Sequence, residues 1–187
     1  HFVWDEYCDW YLELAKVQFQ FSSGSEQEKR AARRTLLRVL ETILRLLHPI
    51  APFITEELWQ RVSVVAEQRH SDEVSSIMIQ TYPQAQMDTI DVQADAWMAE
   101  LKRYIDAVRN LRGEMKLSPA ERVPLLVEAK GSVAQPFKGS APYLVALAKL
   151  AGLTVVETLP NIGAPTAVVG EVRLMLNVQV DRVAEIN

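Results

Sequence analysis

The chain has 187 residues, enough to bury a core as one domain or as a domain with a small subdomain. Its 49% apolar and 24% charged residues are ordinary globular composition, and a net charge of -4 gives no global pull toward nucleic acid or anionic membrane. Contact with a polyanion must therefore come from a local patch. The single cysteine, Cys8, excludes an internal disulfide and fits a reducing compartment, and no apolar run is long enough to span a bilayer.

The opening HFVWDEYCDW has no signal-peptide pattern, and its capless start predicts a piece of a longer protein. The apolar spacing predicts a first helix over about Val3–Phe21, with Trp4, Tyr7, Cys8, Tyr11 and Ala15 on its buried face. Asp5, Glu6, Asp9 and Glu13 lie opposite. SSGS breaks the pattern, and Ser25 with Glu28 has capping-box spacing for a second helix. That helix carries Leu36, Leu40, Ile43 and Leu47 as its buried stripe, widened by Leu37 and Leu44. Arg30, Arg34, Arg38 and Arg45 run down the far side.

ILRLLHPIAPFITEELW, Ile43–Trp59, holds an abrupt corner. Pro49 pushes His48 out of the α region, and Pro52 removes another N–H. Thr55 is read as the cap of a third helix, with Glu56 and Glu57 in its first turn and Leu58, Trp59 and Val62 pointing inward. SSIMIQTYP reads as an extended segment closing over the helices, and QAQMDTIDVQA as a linker. A long helix follows over about Val92–Met115, burying Trp97, Leu101, Tyr104, Val108, Leu111 and Met115. After KLSPAERVP the pattern changes. VPLLVEA and LTVVET read as strands around a short helix from Pro142 to Leu150, and TAVVGEVRLML as two strands joined at Gly170. The fold class expected is mainly α: an antiparallel helical bundle over 1–118, then a small α+β subdomain over 119–187.

Chemistry-bearing constellations are sparse. His1, His48 and His70 are far apart, with no Cys or carboxylate at metal-ligand spacing. Cys8 reads as a packed small hydrophobe. Glu56 and Glu57 are adjacent on a helix and do not face each other. No Gly-rich phosphate loop and no G-x-S-x-G elbow occurs. No catalytic, cofactor-binding or metal-binding residue is therefore expected. The remaining signal is basic. The candidate RNA-contacting residues are Arg30, Arg34, Arg38 and Arg45 on the second helix, and Lys102, Arg109, Arg112 and Lys116 along one flank of the long helix. A solvated outer face is the alternative for the first group, and packing or pairing with first-helix acids for Arg109 and Arg112. Trp10 and Phe19 are available for stacking on bases or for packing against a neighbouring helix.

CDWYLELAK, ILRLLHPIAPFITEELWQRV, SIMIQTYP and AVRNLRGEMKLSPAERVPLLV, in this order, resemble the anticodon-binding region of bacterial-type valyl-tRNA synthetases. The resemblance runs from the first helix to about Val127. The HP-x-x-PF-x-TEE-x-W corner is shared more loosely by isoleucyl, leucyl and methionyl relatives, so the same module of one of those enzymes stays open, as does a non-catalytic helical interaction module. The resemblance implies a monomeric, cytoplasmic class I parent that attaches valine to tRNA(Val), using ATP with magnesium in a catalytic domain, and that carries an editing domain and a C-terminal coiled coil. It implies no membrane and no cofactor in this part. The family's HIGH and KMSKS signatures do not occur, and MKLS at Met115–Ser118 matches the second only superficially. The resemblance thus implies a non-catalytic part whose partners are tRNA(Val) and the rest of the synthetase. Its helical corner would form a rigid post for the anticodon stem-loop.

Overall fold

The computed structural model describes residues 1–21, 26–67, 69–70, 74–129, 134–161 and 163–178. Two compact units divide between Ile90 and Asp91. The expected change of character at 118/119 therefore falls inside the second unit. The long helix, grouped with the bundle on sequence pattern, folds with the sheet.

The first unit is helical. Its first ten residues, Phe2–Tyr11, are a π-helix, which continues as α1, Leu12–Phe21. Bonding from residue i to i−5, as from the Leu12 N–H to the Tyr7 carbonyl, widens each turn and rotates Trp4 off the buried face. Trp4 is 73% exposed, whereas Tyr7, Leu14, Ala15 and Val17 are buried. The Tyr7 hydroxyl donates to the Leu36 carbonyl at 3.0 Å, tying this segment to α2, Glu26–Leu47. SSGS and Ser25 of the capping box lie outside the described residues.

Ile43 and Leu44 are the deepest residues of the α2 stripe. Leu36, Leu37 and Leu40 are half-buried, and Leu47 is exposed. Helix α3 spans Pro52–Val65 and packs on α2. It starts at Pro52, not at Thr55, because proline at the first helical position loses only an N–H that has no helical partner. Thr55 is instead inside α3 and buried. Its hydroxyl donates to the Ala51 carbonyl at 2.8 Å, and its oxygen lies 2.8 Å from His48 Nδ1. His48 thus fastens the end of α2 to the first turn of α3. Trp59 is 1% exposed and Val62 packs beside it, but Leu58 points outward. Thr55, Trp59 and Ser63 recur at a spacing of four and define the inward stripe.

Ser76–Gln80 closes over this pair through a single 3-10 turn, Ile77–Ile79. Ile77 completes an apolar cluster with Leu44 and Trp59. Glu56 holds the turn in place. One carboxylate oxygen accepts from the Ser76 hydroxyl at 2.8 Å and the Ile77 N–H at 3.2 Å, and the other from the Gln60 amide. Desolvation pushes the Glu56 carboxyl up, but these bonds outweigh it and leave it below the ordinary carboxylate range.

In the second unit, Asp91 caps α4, Val92–Glu114, accepting from the N–H groups of Gln93 and Ala94. Its buried residues are Leu101, Tyr104, Ile105, Val108, Leu111 and Arg112. Trp97 and Met115, expected inside, are half-buried. The sheet has order β2-β1-β4-β3, with β1 Val123–Glu128, β2 Leu150–Val156, β3 Thr166–Val169 and β4 Val172–Leu176. β1 and β2 are parallel, so the connection needs a crossover, supplied by α5, Ala134–Leu147. Helix α5 runs through Pro142 instead of starting there. It buries Phe137, whose ring centroid lies 4.7 Å from that of Tyr104. β4 pairs antiparallel with both β1 and β3, and Gly170 takes φ +60 at the first position of the two-residue β3–β4 turn. The observed class is mainly helical with a small mixed sheet.

Candidate nucleic-acid interface

Helix α2 presents Arg30, Arg34, Arg38 and Arg45 on one side, at steps of four, four and seven residues. The first three are exposed; Arg34 approaches Glu67 at 3.6 Å, an open surface pair that leaves its charge in water. Arg45 is different. Its Nη2 donates to Glu41 Oε2 at 2.9 Å and its Nη1 to the Thr81 carbonyl at 2.8 Å. Glu41 is 3% exposed, and its other oxygen accepts from the Trp59 indole N–H at 2.8 Å. A chain of bonds thus runs from the core tryptophan through Glu41 and Arg45 to the backbone at Thr81.

This chain holds residues 81–89 against α2 and leaves a groove of about 680 Å³ between them. Arg38, Thr42 and Arg45 form one wall, and Tyr82, Gln84 and Gln86 belong to the other. The Tyr82 hydroxyl donates to the Leu46 carbonyl at 3.5 Å, and its ring is exposed. Arg38 has no side-chain partner among the described residues, so the groove carries an open cation above the neutralised Glu41–Arg45 pair. Sequence reasoning missed Tyr82, Gln84 and Gln86. Their signal was an aromatic set among three glutamines and a proline, QTYPQAQ, in a stretch read as closure and linker.

The second unit uses the flank of α4 partly for its own fold. Arg112 is 8% exposed, and its guanidinium donates to the carbonyls of Lys149, Ser118 and Glu121. Three backbone acceptors hold it between α4, the end of α5 and the approach to β1, which matches the packing alternative for this residue. Arg109 donates to the Leu147 carbonyl at 3.4 Å and lies 3.8 Å from Asp106, so it caps the C-terminus of α5, where orphan carbonyls favour a cation. Lys102 is half-buried, and Lys116 is exposed at φ +51 just past α4. On α1, the half-buried Phe19 ring lies under the Arg33 guanidinium at 5.5 Å, and on the π-helix before it Trp10 is half-buried.

No group of three His, Cys, Asp or Glu side chains suited to a metal is found among the described residues, and no helix there is long and apolar enough to cross a membrane.

Comparison with known proteins places these features in a family. The family described as the anticodon-binding domain of tRNA ligase matches residues 1–127. Valine–tRNA ligases of Laribacter hongkongensis and Dechloromonas aromatica are each 50% identical to this chain over 98% of its length. That of Psychrobacter arcticus is 40% identical over 99%. The chain spans 19% of the length of these relatives. The matched residues include all of α1 to α4 and reach into β1, so the chain belongs to the anticodon-binding domain family of the tRNA ligases.

Proposed function

We propose that this chain is the tRNA-binding part of a valine–tRNA ligase, a cytoplasmic, monomeric class I enzyme that attaches valine to tRNA(Val) with ATP and magnesium in its catalytic domain. The observation that carries this reading is 50% identity to valine–tRNA ligases over 98% of the chain, within a family match to the anticodon-binding domain. The helices of residues 1–118, those of the first unit together with α4 of the second, receive the anticodon stem-loop, and 119–187 lead to the rest of the synthetase. Arg30, Arg34 and Arg38 contact phosphates, with Lys102, Arg109 and Lys116 as the basic set of the second unit. Arg45 and Arg112 serve the fold. Holding the anticodon end in place lets remote binding energy support the reaction at the acceptor end.

The test is a titration of the chain with a valine tRNA transcript at stepped salt. Neutralising Arg30, Arg34 and Arg38 together to glutamine should weaken binding and flatten log Kd against log salt by about 2, close to 0.7 for each phosphate contact on a single strand. An unchanged slope overturns the assignment of these arginines. The chain alone should give no valine-dependent ATP–pyrophosphate exchange, and measurable exchange contradicts its reading as a non-catalytic part.

A further inference from the structure

We propose that the groove between α2 and residues 81–89 takes one unstacked ribonucleotide of an RNA loop, with its base on Tyr82 and its phosphate toward Arg38. The proposal rests on the RNA-binding reading above and adds to it a specific site.

Four observations converge on it. The groove's volume of about 680 Å³ suits a single small organic unit, for which sites run about 300–1,000 Å³. The Tyr82 ring is exposed, yet its position is set at two points: its hydroxyl meets the Leu46 carbonyl, and the preceding residue, Thr81, is held through its carbonyl by Arg45. An aromatic face fixed in advance is what single-stranded RNA bases stack on, and stacking is worth about 1–3 kcal/mol per base. Arg38, which lines the groove, provides a guanidinium without a side-chain partner among the described residues, and the groove's other charges, Glu41 and Arg45, cancel. The exposed amides of Gln84 and Gln86 each offer two N–H donors and an acceptor for the edge of a base. The walls are mostly polar, with only Pro83 and Ala85 beside the aromatic ring, which disfavours an apolar helix as occupant. An acidic peptide would use Arg38 but would leave the ring and both amides without a role.

The experiment uses the whole chain and the anticodon stem-loop hairpin of a valine tRNA, followed by fluorescence anisotropy at stepped salt concentrations, with affinities compared at the lowest. A series of hairpins lacks one loop base at a time. Tyr82→Ala should weaken binding about 5- to 100-fold, in line with the loss of one stacked base. Tyr82→Phe, which keeps the ring and loses only the hydroxyl's bond to the Leu46 carbonyl, should bind far closer to the parent chain than Tyr82→Ala does. Arg38→Gln should weaken binding and lower the salt slope by about 0.7. One abasic position should weaken the parent chain by the same factor as Tyr82→Ala, and should have little further effect on the Tyr82→Ala variant. Binding by all variants with parent affinity overturns the proposal while leaving RNA binding intact. So does an abasic series that penalises the parent chain and Tyr82→Ala equally, or displacement of the hairpin by poly-glutamate as readily as by unlabelled hairpin. A parent chain that leaves the hairpin unbound overturns the RNA-binding reading together with this site.

Discussion

Glu41 is the residue on which the first unit turns. It sits in the middle of RVLETILRLL, where a charged side chain ordinarily marks the solvent face, yet it is 3% exposed between the Trp59 indole and the Arg45 guanidinium. Helical periodicity finds the leucines around it but assigns the glutamate outward. Its burial depends on two partners, one 18 residues away, that no local pattern connects. Removing it orphans the Trp59 N–H and leaves Arg45 with one bonded nitrogen and a buried, unpartnered Nε. Glu41→Ala should destabilise the chain by about 2–4 kcal/mol, below the range for a fully buried pair because a fifth of Arg45 remains exposed. Glu41→Gln, which still accepts from Trp59, should lose less. Urea titrations of the three proteins check both the size and the order. For Arg112 the border position on α4 made packing legible as an alternative, but not its acceptors, which are carbonyls of a turn and of the α5 terminus brought up by the fold.

At the level of elements, existence was legible and ends were less so. The four strands fall where alternation and apolar runs place them, except that β2 opens three residues earlier, at Leu150, which was read as the end of the helix, and the α4 stripe follows its helical period. The start of α3 was displaced by four residues because Thr55 was read as the cap, when the cap is Ala51 and Pro52, which has no N–H to satisfy, opens the first turn. The π-helical opening was not legible, since its altered period shows only in which aromatics turn outward. The end of α4 has a Schellman geometry: the Leu117 N–H reaches the Arg112 carbonyl and the Lys116 N–H the Gly113 carbonyl, both at 3.0 Å. Lys116 occupies the left-handed position, φ +51, that glycine adopts without steric strain. Lys116→Gly should therefore raise stability by about 0.5–1 kcal/mol, read as a higher midpoint in thermal or urea unfolding. A lower midpoint would mean that the lysine side chain contributes more than its backbone conformation costs.

For the whole molecule, motif order carried further than pattern. The HP-x-x-PF-x-TEE-x-W corner is now a set of contacts: His48 with Thr55 across the bend, Pro52 opening α3, Glu56 holding the Ser76–Ile77 turn, and Trp59 on Glu41. These interactions shape the groove beside α2, so a motif legible as a helix corner also builds a surface that was not legible, because the groove's second wall comes from a segment 36 residues further along the chain. The family assignment and the 50% relatives make anticodon recognition the central claim. Its most direct measurement is the affinity of this chain for a valine tRNA transcript and for one altered only in the middle anticodon base, at low and at moderate salt. The account predicts binding that weakens steeply with salt for both, with the unaltered transcript bound about tenfold more tightly at each salt concentration. Equal affinity for the two transcripts at both salt concentrations would contradict it.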